Sequence, residues 1–256
     1  MKATSKTKII IATGGTGGHI FPAYSLAKNF IKNNYSVEII TDKRGLKYLD
    51  DHKDIKLILN NSATVFKKNI ISLLFSVFTI SLSYMKSLVI LYRTSPIVVF
   101  GMGGHASFPV CMAARTLNIP FIIYENNIQI GKSNKYLLPF AFKIFASYQD
   151  IIGIKNKYDH KVIITGNIIR EEILKFKKNN QFAPKTLNIL VLGGSQAAKS
   201  FGELLPKVFE KCIKENIKIK VFQQCIESQK KILNEIYRNL NFNFELFNFT
   251  NNITEY

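Results

Sequence analysis

Ala12-Thr13-Gly14-Gly15-Thr16-Gly17-Gly18-His19-Ile20-Phe21-Pro22 is the stretch on which the reading of this chain turns. Leading into it, Lys8-Ile9-Ile10-Ile11-Ala12 is a short run of β-branched apolar residues, as a buried strand should be. At the other end, Pro22 suits the first position of a helix, where its missing N–H costs nothing. Tyr24, Leu26, Ala27, Phe30 and Ile31 then recur with helical spacing. Glycines between a strand and a helix let backbone N–H groups approach a diphosphate, and the helix N-terminus adds a favourable dipole. His19 stands at the lip of that loop, where it can carry or take a proton. Two glycine pairs and a histidine exceed what a tight turn requires, so the stretch reads as an anion site. A dinucleotide site is the alternative: Asp42 ends the second predicted strand, but Ile20 replaces the third glycine of G-x-G-x-x-G.

A chain of 256 residues has room for one large domain or two modest ones with ample core. With 47% hydrophobic and 20% charged residues it is globular rather than disordered. A net charge of +18 predicts an anionic partner. Its lysines are spread among many Asn and Ile residues, and zinc-finger spacing, stacking-aromatic motifs and a basic tail are all missing. A nucleic-acid-binding module is therefore not expected. Cys111, Cys212 and Cys225 are far apart and form no C-x-x-C, which reads as free thiols in a reducing cytoplasm. The apolar run after the basic N-terminus stops at the glycines, too early for a signal peptide.

Further strands are predicted at Ser36–Thr41, within Asp54–Asn60, at Pro96–Phe100, Ile119–Tyr124, Lys143–Ser147 and Lys161–Thr165. Strands alternating with helices argue for a parallel α/β sheet covered on both faces. Between Lys67 and Arg93 lies a long apolar segment in which Ser72, Ser76, Thr79, Ser83 and Lys86 fall on one helical face. It reads either as a crossover helix buried in the core, or as one with an exposed apolar patch and a basic rim suited to an anionic bilayer surface. The absence of any Asp or Glu between Asp54 and Glu125 favours the membrane reading, and a single-pass anchor is the weakest of the three. A second glycine loop, Gly101-Met102-Gly103-Gly104-His105-Ala106-Ser107, follows a strand and opens a helix over 108–117. Glu125-Asn126-Asn127 at a strand end suits hydroxyl recognition or proton transfer, or equally a turn cluster. After Gly166–Arg170, a hinge, and a polar stretch at 175–185, the opening pattern repeats. Strand Leu187–Leu192, loop Gly193-Gly194-Ser195-Gln196 and a helix over 197–215 are followed by two more strands, at Ile217–Gln223 and Phe244–Phe249. The last residues read like a helix just begun, so the second domain is expected to be cut short.

Gly14–Pro22, Gly101–Ser107, Tyr124–Asn127 with Gly131 and Asn134, Thr165-Gly166-Asn167 with Arg170, and Gly193–Ala197 occur in an order that resembles the MurG family. These are the bacterial N-acetylglucosaminyltransferases that make lipid II. The resemblance covers essentially the whole chain. It implies a GT-B fold of two Rossmann-like, doubly wound parallel-sheet domains, the second incomplete. Residues 1–167 would form the acceptor and membrane-associated domain, and 168–256 part of the UDP-sugar-binding domain. It implies inverting transfer of N-acetylglucosamine from UDP-N-acetylglucosamine to an undecaprenyl-diphosphate-linked muramyl-peptide, without metal or other cofactor. The work would take place at the cytoplasmic face of the inner membrane, in peptidoglycan synthesis and hence cell shape and division. His19 and Glu125 would be catalytic. Thr16, Gly17, Gly18, Asn127, Arg170, Ser195 and Gln196 would contact the UDP-sugar. Gly14, Gly15, Gly103, Gly104 and His105 would hold the acceptor diphosphate. The family's H-E-Q-N reads Tyr124-Glu125-Asn126-Asn127 here, and its G-N-P-V-R reads Gly166-Asn167-Ile168-Ile169-Arg170. A related glycolipid synthase and an NAD(P)-binding oxidoreductase are the rival readings.

Overall fold

Along β1 (Lys8–Ala12) the side chains alternate between two cores: Ile9 and Ile11 join one, Ile10 and Ala12 the other. A strand apolar on both faces needs cover on both, and the surrounding elements supply it. The computed structural model describes residues 7–49, 54–62, 69–175, 186–248, 250 and 253, with the backbone alone for 172 and 195–198. The chain divides into two compact units, Met1–Glu171 and Glu172–Tyr256.

In the first unit β1 is followed by α1 (Gly17–Lys32), β2 (Ser36–Thr41), α2 (Lys43–Leu46), β3 (Lys56–Leu59) and α3 (Ile70–Thr94). Next come β4 (Val98–Gly101), α4 (Ser107–Thr116), β5 (Phe121–Glu125), α5 (Lys132–Leu137), β6 (Lys143–Ala146) and β7 (Val162–Ile164); α6 (Glu171–Lys175) follows. The seven strands are parallel in the order β3-β2-β1-β4-β5-β6-β7. The direction of winding therefore reverses between β1 and β4, the switch point at which doubly wound sheets bind ligands. Both glycine loops leave the C-terminal ends of those two neighbouring strands.

One local expectation needs correction. The helix after the first loop begins at Gly17, so Pro22 lies inside α1 rather than at its start. The Thr16 carbonyl already accepts from the amides of His19 at 3.0 Å and Ile20 at 3.3 Å, closing a helical turn before the proline. The long apolar helix α3 carries the exposed apolar patch that the favoured reading expects rather than lying buried in the core: Phe75 is 70% exposed, and Leu74, Phe78, Leu82 and Met85 are exposed with it. Its hydroxyl stripe faces inward, with Ser76, Ser83 and Ser87 buried. Small serines can line a close helix contact; the hydroxyls of Ser76 and Ser87 are satisfied within the helix, while the buried Ser83 hydroxyl makes no hydrogen bond of standard geometry. Ser76 donates to the Ser72 carbonyl at 2.8 Å, and Ser87 to that of Ser83 at 2.7 Å. Asn60, just past β3, donates to the Ser87 hydroxyl at 2.8 Å and to the Ser83 carbonyl at 3.1 Å, pinning α3 to the sheet. By length and mean hydropathy, 1.7, α3 could cross a membrane. Lys67 and Lys68, half of the predicted basic rim, lie outside the described residues.

The second unit opens with β8 (Leu187–Val191) and continues through α7 (Ser195–Lys214), β9 (Ile219–Gln224), α8 (Glu227–Asn239) and β10 (Asn243–Phe247). The strands are parallel in the order β10-β9-β8, the arrangement of the first three strands of the first unit. Phe209, Val221, Leu233 and Tyr237 form its core, where the buried Tyr237 hydroxyl donates to Gln223 Oε1 at 2.6 Å. The predicted helix over 197–215 begins two residues earlier, at Ser195. The polar stretch at 176–185 and residues 254–256 lie outside the described residues.

Candidate active site

The two glycine loops touch. Gly104, at φ +77°, lies so close to the first loop that an added Cβ would sit 2.3 Å from the Gly14 carbonyl oxygen. Its neighbour Gly103, at φ +90°, leaves only enough space for the His19 ring, since a Cβ there would be 2.6 Å from Nδ1. Such dihedrals are open to glycine at no steric cost. The Met102 amide donates to the Ala12 carbonyl at 2.8 Å, continuing the β1–β4 ladder into the loops. His19, Gly14, Gly15, Gly103, Gly104 and His105 are thus brought together at one end of the sheet. Thr16 and Gly18 are exposed beside them.

Asp42 does not await a ribose. Its Oδ1 accepts from the Gly15 amide at 3.2 Å and from the Gly45 amide at 2.8 Å, capping α2. Its Oδ2 pairs with Arg44 at 3.0 Å. Burial alone would raise its pKa, but the Gly45 and Gly15 amides and the Arg44 guanidinium outweigh it and hold the carboxyl below its usual range. With both oxygens occupied and Ile20 fully buried in place of a third glycine, the dinucleotide reading loses its acidic residue and its third glycine alike. Arg44, which the sequence did not single out, brings a mostly exposed guanidinium to the rim of the first loop, within 3.7 Å of the position a Gly15 Cβ would take.

Both loop histidines have a pKa lowered from the ordinary imidazole value. Burial lowers the His19 pKa below 6.5; the Glu125 charge and the Met102 backbone pull the other way, and His105 adds to the lowering. Its Nδ1 is buried and makes no hydrogen bond of standard geometry. Burial also lowers the pKa of His105, assisted by Arg44 and Lys132 and opposed by Asp42.

Glu125 ends β5 with a buried carboxylate, 1% exposed, on which the next turn is built. Oε1 accepts from the Asn127 amide at 3.1 Å and from Asn127 Nδ2 at 2.9 Å; Oε2 accepts from the Gly131 amide at 2.8 Å and from Asn134 Nδ2 at 2.9 Å. Every neighbour is a donor, so this carboxylate organises its loop. Between Glu125 and Asn127, the Asn126 side chain donates to the Gly18 carbonyl at 2.9 Å and joins the loop to α1. The hydroxyl of Tyr124 accepts from the Ile168 amide at 3.0 Å and lies 2.9 Å from Ser147 Oγ, fixing the segment that leads to Arg170. The Arg170 guanidinium stacks over the Phe21 ring of α1 at 4.8 Å.

In the second unit, the Gly193 amide donates to Gln224 Oε1 at 3.2 Å, and Gly194 in extended geometry precedes α7. Ser195 and Gln196 are the first two residues of that helix, where free amides collect. Their side chains lie outside the described residues. Among the described residues, no group of three or more His, Cys, Asp or Glu is arranged to hold a metal.

This arrangement has close counterparts. Residues 9–146 match the glycosyltransferase family 28 N-terminal domain, and residues 188–256 match the C-terminal domain of the same family. A UDP-N-acetylglucosamine–N-acetylmuramyl-(pentapeptide) pyrophosphoryl-undecaprenol N-acetylglucosamine transferase of Rickettsia bellii is 37% identical over 252 residues, covering 96% of this chain and 69% of its own length. The protein of that name from Rickettsia felis is 34% identical, with the same coverage of both chains. The crystal structure of MurG from Acinetobacter baumannii superposes with a TM-score of 0.70 at 23% identity, over 97% of this chain and 70% of that one, a likeness of fold. Two glycine loops meeting at the switch point of one parallel sheet, a third loop opening a second sheet, and matches to both family domains converge: the chain belongs to glycosyltransferase family 28, alongside the MurG transferases.

Proposed function

We propose that this protein transfers N-acetylglucosamine from UDP-N-acetylglucosamine to the muramyl hydroxyl of an undecaprenyl-diphosphate-linked muramyl-peptide, the lipid II-forming step of peptidoglycan synthesis. The observation that carries the reading is a histidine lodged where two glycine loops touch, its pKa lowered by burial toward the neutral form. A neutral imidazole can take the proton of an attacking hydroxyl. As that oxygen bonds to the anomeric carbon from the far side, the bond to the UDP oxygen breaks and the centre inverts. His19 is the proposed base, and the Glu125 carboxylate holds the turn beside it. Gly14, Gly15, Gly103, Gly104 and His105 are assigned to the acceptor diphosphate, with Arg44 added at its rim. Thr16, Gly17, Gly18, Asn127 and Arg170 in the first unit, and Ser195 and Gln196 in the second, are assigned to the donor. Positive charge and oriented amides are what a departing diphosphate requires.

The exposed apolar face of α3, with Lys86 and Arg93 near it, supports peripheral attachment to an anionic cytoplasmic membrane surface, where a polyprenyl-linked acceptor resides. Residues 1–167 are accordingly the proposed acceptor and membrane domain, and 168–256 belong to the UDP-sugar side.

The test is a pH–rate profile of sugar transfer to a lipid-linked muramyl-peptide. The rate should rise with pH through an apparent pKa below the ordinary imidazole value of 6.5. His19→Ala should lower it by about a hundredfold or more. Failure to form the disaccharide product, or an unchanged rate in the variant, would overturn the proposal.

A further inference from the structure

In an α-helix each carbonyl receives the N–H of the residue four positions on. Pro22 has no N–H, so inside α1 it leaves the Gly18 carbonyl without its helical donor. Asn126, 108 positions away in sequence, supplies the missing donor through Nδ2 at 2.9 Å. The amide of Asn126 is itself oriented, because Asn127 Nδ2 donates to its Oδ1 at 3.2 Å while also donating to Glu125 Oε1 at 2.9 Å. A line of hydrogen bonds thus runs from the buried Glu125 carboxylate through Asn127 and Asn126 to the peptide group linking Gly18 and His19.

That peptide group sets where the His19 side chain leaves the backbone. The amide of His19 is already held by the Thr16 carbonyl at 3.0 Å, and the ring is confined by Gly103. With the Gly18 carbonyl also fixed, the plane between the two residues has no freedom left.

We propose that Asn126 is a positioning residue for His19, acting through the Gly18 carbonyl that Pro22 leaves unpaired. The proposal rests on the reading of His19 as the base and adds to it a means by which the β5 loop sets the base's geometry. It also makes Pro22 and Asn126 a coupled pair: an alanine at position 22 would bring its own N–H to the Gly18 carbonyl, and Asn126 would become dispensable.

The experiment is a double-mutant cycle on the full chain with Asn126→Ala, Pro22→Ala and both together. Sugar transfer is measured alongside the NMR titration of the His19 ring. Asn126→Ala should lower kcat about tenfold, as expected for one lost hydrogen bond that orders a reacting group, and move the His19 pKa toward 6.5. The double variant should recover to within about threefold of the parent rate and regain the depressed pKa. A residue that merely contacted substrate would not be rescued by a change inside α1, so a double variant no better than Asn126→Ala overturns the proposal. Should Asn126→Ala fail to fold, recovery of the fold by Pro22→Ala supports the coupling, and continued failure overturns it. If the cycle couples in the titration but the rate ignores it, Asn126 positions His19 and the assignment of His19 as base falls instead.

Discussion

Glu125→Gln separates a carboxylate that reacts from one that builds a loop. In the native turn both oxygens face donors only: two from Asn127, one from Gly131 and one from Asn134. A glutamine keeps one oxygen and must turn an NH2 toward the other pair. The less damaging orientation points the NH2 at Asn127, which is exposed and can relax toward water, and keeps the oxygen for Gly131 and buried Asn134. Two charge-assisted bonds are then lost, each worth about 1.5–3 kcal/mol, and partial relaxation brings the sum near 3 kcal/mol. For a unit of this size that corresponds to a fall in Tm of about 6–12 °C. Calorimetry of the intact chain, with hydrogen exchange at the Gly131 amide to locate the loosening, measures it. If Tm falls by less than about 2 °C while transfer is abolished, Glu125 acts on the reaction and the loop-building account is wrong.

Three further outcomes follow from the charges and the exposed face. Asp42 has a depressed pKa, so its contribution to stability is present above its unfolded value of 3.8 and lost as pH falls through the lower folded value; Asp42→Asn should flatten that acid limb of the unfolding curve. His19 and His105 are depressed too, with the same sign in a higher pH window: the unfolded chain binds more protons as pH falls below 6.5, so stability should decline as pH drops from there toward the lower folded values, and less steeply in a His105→Gln variant. Replacing exposed Phe75 or Phe78 of α3 by Ser should weaken binding to vesicles containing anionic lipid by about tenfold each, leaving Tm unchanged, because each ring gives up about 1.5 kcal/mol of apolar burial in the bilayer. Co-sedimentation reads that loss, and equal binding by both variants would exclude the α3 face as the contact.

Much of the fold was legible because the signals were local and repeated. Apolar runs such as Ile9–Ile11 and Val98–Phe100, each ending in glycines and followed by helical spacing, specify parallel α/β units without reference to distant residues. What escaped was set by register. Asp42 at a strand end fits both a dinucleotide site and a cap. Only the pairing of Ala12 with Ile40 brings Asp42 level with the first loop, where the Gly15 amide takes its carboxylate. Arg44 carries no signal in the sequence for the same reason, since its importance depends on Asp42 turning inward. Periodicity in α3 defined two faces but not which one the protein would bury. The choice of the serine face follows from Asn60 meeting Ser83 and Ser87, a contact between segments that no window of sequence contains. Pro22 does not mark the start of α1 because its cost inside the helix is offset by Asn126, from the distant loop that follows β5.

The placement of charge around the loops reconciles a strongly basic chain with the neutral base proposed for it. A histidine beside a diphosphate would ordinarily have its pKa raised, because the nearby anion stabilises the protonated form. Here burial opposes that at His19 and His105, while Arg44 and Lys132 add fixed positive charge that further discourages protonation of His105. Under the proposed assignment, these cations would meet the anion's need and leave the imidazoles available for proton transfer. Asp42 completes this division of labour. By engaging Arg44 with one oxygen and the Gly15 amide with the other, it holds a cation at the loop and shapes the loop with the same carboxylate. Removing the Asp42 charge would disturb both the electrostatics and the geometry of the first loop, whereas removing Arg44 would disturb the electrostatics alone.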